Sequence, residues 1–488
     1  MRNIFKNSFF YTLGDFLKNT AVFLLLPIYT RFLTPGDYGI VAMISSVAAF
    51  LSTFLMMGQS DAVMRFYFDS RNKEEKKTYI STILFFCIGV FLAFALLMTF
   101  FFERLFNLLF PGMPFKPYGL ILCWTVFFSV FEMISFTLLK TEEKAIKFSV
   151  YNLLGFIVNT CIVLLFVVRF RMGAFGKVSA DLLYAVIASV FFLSLIKGYL
   201  ALRFSFRAIK ETLKFGVPLI LHQLSLWIIN LSDRYCLQLF GSLGMVGIYS
   251  IGYNIAFPIN FLSSSIGMAW TPFFFKTAGK EAAKAHFSRM TTYYTVITMF
   301  VTLVIAVFAK EAICIFTTKG YYEASRVIPV VALSYFFHAL YKISTRILVY
   351  VKQTAKLSLC TMISAIINIV LNILWIPRYG IMGAAWATLF SFAFLFLVSY
   401  LFARKYYQVP FEYAKMAFVF ALSTLAYFSS GLMKIDIFGL SIAYKIALLL
   451  VYAIVIYRSF FLSTEERKKL KLILYEKSGL HRLNLWKD

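Results

Sequence analysis

Apolar stretches of about 20 residues, long enough to cross a bilayer as helices, recur along the whole chain and constrain it most. Fourteen can be marked, at roughly 8–30, 38–58, 79–101, 118–139, 148–168, 179–199, 213–232, 245–268, 292–309, 327–350, 357–376, 382–403, 413–430 and 439–459. The connections between them reach about 20 residues at most and leave no room for an extramembrane domain. With 61% hydrophobic and 14% charged residues in 488 positions, no soluble fold covers the apolar surface without aggregating patches. The same figures exclude disorder, fibrous repeats and disulfide scaffolds. The chain reads as an all-α, multi-pass integral membrane protein of about 14 transmembrane helices.

A net charge of +26 raises nucleic acid as a partner, and the placement of the charges argues against it. Lys and Arg sit in short clusters between the apolar stretches, which suits membrane topology and anionic membrane lipids. With the N-terminus inside, the inner segments carry 32 basic residues and the outer ones 13, leaving Lys18, Lys342 and Arg346 within spans. An odd number of spans would break that alternation, so both termini are expected to be cytoplasmic. Met1-Arg2-Asn3-Ile4-Phe5-Lys6 has the charge of a signal peptide. The apolar stretch after it is too long and lacks a small-residue cleavage site, so it is expected to stay as the first helix.

The six cysteines are widely spaced, no pair has metal or redox spacing, and no metal site is expected. Beyond residue 460, Ser463-Thr464-Glu465-Glu466 precedes Arg467, Lys468, Lys469 and Lys471. This predicts a basic helix lying on the cytoplasmic leaflet.

A weak internal repeat sets Gly39-Ile40 against Gly247-Ile248, an offset of 208 residues that matches six helices with their loops. It predicts two pseudo-symmetric six-helix lobes around a central cavity, residues 1–205 and 206–405. Helices 13 and 14 (406–460) and a basic cytoplasmic tail (461–488) follow. Pro27, Pro218 and Pro258 remove backbone donors in helices 1, 7 and 8 and are candidate hinges.

A charged side chain inside the hydrocarbon is costly unless it faces protein or water, so each one is a candidate site. Asp15 and Lys18 share a face of helix 1, either as an internal ion pair or as the wall of a cavity. Asp15 would then be available to couple H+ or Na+. His338, Lys342 and Arg346 follow at four-residue spacing on helix 10 and form one cationic stripe. Like charges repel, so the stripe needs carboxylates on neighbouring helices, water, or an anionic substrate; Arg346 and Lys342 near a helix end would alternatively snorkel.

On helix 7, Asp233 and Arg234 read either as a structural ion pair or as ion-coupling and substrate-binding groups. His222, Gln223 and Asn230 add polar atoms to the same helix. Arg65 with Asp61, and Glu132 on helix 4, carry the same two readings. No phosphate-cradling loop, HExxH, Cys/His cluster or exposed Asp-x-Asp occurs, so neither an enzyme nor a bound cofactor is expected.

Several stretches together resemble the polysaccharide-transporter (Wzx-like) flippases of the multidrug/oligosaccharidyl-lipid/polysaccharide (MOP) exporter superfamily. They are Leu26-Pro27-Ile28-Tyr29-Thr30-Arg31-Phe32-Leu33-Thr34-Pro35 with Asp37-Tyr38-Gly39-Ile40, Phe215-Gly216-Val217-Pro218 and Ser232-Asp233-Arg234-Tyr235. Gly247-Ile248-Tyr249-Ser250 and Ala269-Trp270-Thr271-Pro272-Phe273 follow, then Asn368, Asn372 and Ile376-Pro377-Arg378-Tyr379-Gly380-Ile381-Met382-Gly383-Ala384-Ala385. The likeness runs from residue 1 to about residue 400.

The resemblance implies two bundles around a cationic cavity in a bacterial cytoplasmic membrane. It also implies translocation of an undecaprenyl-diphosphate-linked oligosaccharide to the periplasmic leaflet for O-antigen, capsule or exopolysaccharide assembly. Polysaccharide polymerase and chain-length proteins would be partners. Within the superfamily, a peptidoglycan-precursor flippase or a multidrug antiporter is the alternative; the cationic stripe disfavours a cation exporter. A membrane polymerase or ligase is the alternative of another class, and the short outer loops disfavour it.

Overall fold

The computed structural model describes residue 14 and residues 23–68, 72–201, 203–433 and 438–459. Asp15, Lys18 and the basic tail lie outside them. Among the described residues the structure is helical throughout, with no strand. Among the described residues eleven helices are long and apolar enough to cross a membrane, and the bent pair Phe206–Val217 with His222–Phe240, counted as one span, makes a twelfth. The expected fourteen follow because one helix holds two spans and the apolar helix α1 (Phe23–Phe32) is the described part of the first.

Local chemistry sets the helix starts. At α2 (Pro35–Met56), Thr34 Oγ1 accepts from the Asp37 amide at 3.1 Å and Asp37 Oδ2 accepts from the Thr34 amide at 3.0 Å. This reciprocal cap satisfies orphan donors that a helix end leaves, and Pro35 occupies the position where no N–H is needed. Asp37 Oδ1 also accepts from the amide of Ala174, tying α2 to the start of α8 (Gly173–Ile196). After α2 the chain turns through Met57 and Gly58, both left-handed, into the short α3 (Gln59–Phe66).

The next helices are α4 (Lys73–Phe101), the short α5 (Glu103–Leu109), α6 (Leu120–Thr141) and α7 (Ala145–Leu164). Helices α4, α6, α7 and α8 pack on one another. The second half opens with α9 (Phe206–Phe240), bent by 52° between Val217 and His222, where Pro218 lies. It continues through α10 (Leu243–Ala256), α11 (Pro258–Thr277), α12 (Glu281–Val307), α13 (Ala309–Phe316) and α14 (Ala324–Tyr350).

Helix α15 (Thr354–Tyr406) is 53 residues long, far more than a bilayer requires, and Gly380 breaks it with φ +55°. Trp375 and Phe390 have ring centroids 5.4 Å apart, whereas fifteen residues of straight helix would separate them by about 22 Å. The chain therefore doubles back at Gly380 through a conformation that glycine adopts without steric cost. The two limbs are the expected spans 11 and 12.

The two halves meet at a glycine crossing. A Cβ on Gly39 would be driven into the carbonyl oxygen of Leu243, and a Cβ on Gly247 into that of Pro35. Gly39 and Gly247, like Pro35 and Leu243, are 208 residues apart. The contact is thus self-complementary, as across a two-fold axis, and the internal repeat has a physical counterpart. A second close approach lies at the other end of α2, where a Cβ on Gly216 would sit 2.5 Å from the Met57 carbonyl oxygen.

Helices α16 (Tyr413–Leu432) and α17 (Phe438–Arg458) complete the described chain. Lys445 on α17 donates to Glu311 Oε1 at 2.5 Å, both side chains being about nine-tenths buried, and Ser441 donates to the same oxygen at 3.0 Å. Glu311 lies in the first turn of α13, where the helix dipole favours a negative charge.

Just past α6, Glu142 accepts from the hydroxyls of Tyr67 and Tyr199 and pairs with Lys144 at 2.6 Å. Burial raises its pKa, but Lys144 and the two phenols outweigh that and hold it below the ordinary carboxylate value. A depressed folded-state pKa adds stability above the unfolded pKa of about 4.3 and loses it as pH falls through the folded value. Thermal unfolding of the purified protein should therefore show an acid-side loss that Glu142→Gln reduces. An unchanged acid limb in the variant would refute that role.

Candidate functional site

The densest buried polar cluster among the sequence candidates lies on α9, facing α10 and α15. Asp233 is fully buried. Its Oδ1 accepts from the Arg234 amide at 2.8 Å, and its Oδ2 accepts from the Tyr249 hydroxyl and from Thr388 Oγ1 at 3.4 Å. Arg234 donates from Nε to Ser250 at 3.1 Å and from Nη1 to the Asn230 carbonyl at 3.1 Å. Its guanidinium carbon lies 4.8 Å from the ring centre of Tyr253 and its Nη1 lies 3.8 Å from Asp233. Ser232 donates to Asn368 Oδ1 at 3.0 Å and Asn372 Nδ2 donates to the same atom at 3.1 Å. Asn372 Oδ1 is buried with no partner among the described residues.

Arg234 lines a cavity of about 270 Å³ with Tyr38, Ser45, Ser46, Leu231, Ser250 and Asn254. Asn254 donates to the Tyr38 hydroxyl at 2.8 Å across its wall. This cavity lies between α2 of the first half and α9 and α10 of the second.

The spacing on α14 does gather its three candidates. His338 is buried 4.7 Å from the Phe392 ring, Lys342 donates to Asn260 Oδ1 at 2.8 Å and Ser264 Oγ at 2.9 Å, and Arg346 donates to Thr271 Oγ1 at 3.0 Å. Arg346 also lies 5.2 Å from the Trp270 ring centre, and a Cβ on Gly267 would collide with its Nη2. Of the partners that the stripe could take, carboxylates are not what holds Lys342 and Arg346: neutral groups of α11 do. Lys342 and Arg346 thus bring positive charge into the interior of the second half without a described counter-charge.

The remaining candidates are dispersed. Arg65 is exposed on α3 beside Phe66, and Asp61 accepts from Gln223 at 3.1 Å. Glu132 on α6 receives the Tyr184 hydroxyl of α8 at 3.4 Å. Pro27 lies within α1, and Pro258 begins α11 at the break after α10. Sequence reasoning missed Lys177, which pairs with Asp181 at 2.6 Å, and Asn159, which donates to Asp181 at 3.2 Å. Their signal was a Lys and an Asp four apart at the opening of span 6. Oxygen donors around Asp233, Thr388 and Asn372 are of the hard type that suits a small cation or a proton. Among the described residues no group of three His, Cys, Asp or Glu could hold a metal ion.

A family model described as polysaccharide biosynthesis protein matches residues 4–278, more than half of the chain. The chain belongs to that family. A second model, MatE, matches residues 218–374. Together with the fold, these matches make the family member a MOP-superfamily transporter, as the sequence stretches implied. An uncharacterized membrane protein of Haemophilus influenzae is 22% identical over 405 residues, covering 78% of this chain and 94% of its own.

Solved structures share the fold. "Lipid II flippase MurJ, inward closed conformation" has a TM-score of 0.73 at 18% identity, covering 92% of this chain and 98% of its own. An inward-facing multidrug resistance MATE family transporter has a TM-score of 0.65 at 15% identity, covering 85% and 96%. At such identities the likeness concerns architecture alone.

Proposed function

We propose that this transporter flips an undecaprenyl-diphosphate-linked oligosaccharide from the cytoplasmic to the periplasmic leaflet of a bacterial cytoplasmic membrane. The observation that carries this reading is the cation-bearing polar cavity between the two halves, with Arg234 on its wall, in a member of the polysaccharide biosynthesis family. A diphosphate crossing a low-dielectric zone needs positive charge along its way, and Arg234 with the half-buried Lys342 and Arg346 supplies it. Residues 1–205 and 206–405 would rock against each other about the bend at Pro218, with helices 13 and 14 (406–460) appended. Asp233, with Thr388 and Asn372, would take the coupling H+ or Na+. Polymerase and chain-length proteins would receive the product outside.

In a strain lacking the gene, the diphosphate-linked oligosaccharide should accumulate on the cytoplasmic face, shown by protection from a periplasm-restricted labelling enzyme, and restoring the gene should relieve it. Accumulation on the periplasmic face would refute flipping. The MurJ likeness favours a second reading, a peptidoglycan-precursor flippase. Rescue of a strain depleted of that activity would select it.

The stripe has its own test. Lys342→Ala and Arg346→Ala should each lower surface polysaccharide about tenfold at normal protein level, as expected where one charged contact of about 1.4 kcal/mol is lost. Retained function in Arg346→Lys would assign the effect to charge rather than to the planar fork. Wild-type polysaccharide in both alanine variants would remove the stripe from the mechanism.

A further inference from the structure

Next to the polar cavity lies a larger one of about 370 Å³, and the two share Ser46 and Leu231 as a common wall. The larger chamber is almost wholly apolar. Its lining includes Met43 and Leu51 of α2, Phe94 and Met98 of α4, Phe106 of α5 and Trp227 of α9. The short α5 forms one side of the chamber. Phe106 anchors it in the core, edge-on to Phe115 at 5.4 Å and tilted against Phe110 at 4.8 Å, whereas Leu105 and Leu109 both line the chamber and remain about two-fifths exposed. Because α5 lies in the connection between the third and fourth spans, these half-exposed leucines place the chamber's edge at the membrane rim.

An apolar chamber that is edged by half-exposed leucines on one side and borders a cationic polar pocket on the other matches one chemical class. That class is an anionic headgroup on a long hydrocarbon chain. Arg234, which lines the polar cavity, commits Nε and Nη1 to Ser250 and Asn230, and its guanidinium has a further donor nitrogen, Nη2.

We infer that this chamber is a tail site: it holds the headgroup-proximal part of the substrate's polyprenyl chain while its phosphate lies in the Arg234 pocket, the rest of the chain leaving past α5 into the bilayer. The inference rests on the flipping reading and adds to it a seat for the chain between α2, α4 and α5 of the first half and α9 of the second. Ser46 and Leu231, at the junction of the two cavities, lie where the chain joins the phosphate. A chain held there would tether the lipid as the headgroup crosses and would select long-chain carriers.

The probe is undecaprenyl phosphate added to the full-length protein in nanodiscs of bacterial phospholipid. Benzoylphenylalanine at Met98 reports the chamber, and at Leu193, exposed on α8, it reports ordinary lipid contact. Photo-adducts of undecaprenyl phosphate at Met98 should exceed those at Leu193 at least tenfold and survive excess phospholipid. A second variant keeps the polar pocket intact: Leu51→Trp fills the chamber without touching Arg234. It should abolish the preference of the wild type for undecaprenyl phosphate over geranyl phosphate, while geranyl phosphate binding stays.

Three results would overturn the tail site. They are phospholipid adducts only at Met98, equal capture at both positions, and an unchanged chain-length preference in Leu51→Trp. If undecaprenyl phosphate is bound specifically but not at Met98, the chamber fails and the flipping reading stands. If it shows no preference over phospholipid at any position, the flipping reading fails with it.

Discussion

Gly39→Ala is expected to abolish surface polysaccharide while the protein stays in the membrane at its normal level. The added methyl has nowhere to go, because the atom it meets is the backbone carbonyl oxygen of Leu243, part of a packed helix. Helices α2 and α10 would have to part at the end expected to lie outside, so the two halves could no longer close there. An alternating transporter that cannot close one end is trapped, and transport falls by orders of magnitude rather than by a fraction.

Ser45→Cys in a cysteine-free background reads the trap directly, since Ser45 is exposed on the wall of the polar cavity. A membrane-impermeant maleimide added outside should label it faster when Gly39→Ala is present. Gly36→Ala and Gly244→Ala are the controls, because their methyls meet nothing nearer than 3.6 Å. Gly216→Ala, at the opposite end of α2, should protect the same cysteine. If Gly39→Ala labels and transports like Gly36→Ala, the crossing is not a gate.

The second large effect is on stability. Lys445→Met or Glu311→Leu alone should cost about 3–5 kcal/mol, because each leaves one buried charge without its partner. The double variant should recover most of that loss, since two apolar side chains of similar size suit the same space. Thermal unfolding of the four proteins in one detergent closes the cycle. Single variants no worse than the double would mean that the pair holds α17 to α13 by little more than proximity.

What the sequence disclosed was periodicity, and what it withheld was partners. The spans were legible because each must present about 20 apolar residues to lipid, and α15 is 53 residues long only because two of them share one glycine. The four-residue spacing of His338, Lys342 and Arg346 fixed their common face. It could not say that Asn260, Ser264 and Thr271 would hold the cations, because those residues come from α11, seventy or more positions away.

Asp233 and Arg234 stood out as charges in a span. Of their true neighbours, Tyr249 and Ser250 stood only within a family-like stretch that did not tie them to this pair, and Thr388 carried no signal. The 208-residue offset was visible as a single dipeptide match, while the contact that gives it meaning depends on two helices meeting in space. Lys177 and Asp181 escaped because the expected edge of span 6 fell between them.

The one-residue reversal at Gly380 also bears on how such a chain can change its length over generations. Asn368 on the first limb touches Ser232, and Thr388 on the second touches Asp233, so both limbs must keep register with α9. One inserted residue at the turn would rotate the second limb by about 100° and carry Thr388 off that face. Insertions and deletions between these two spans are therefore closed to the lineage, and its length variation must fall at other connections, where a longer segment costs only loop entropy.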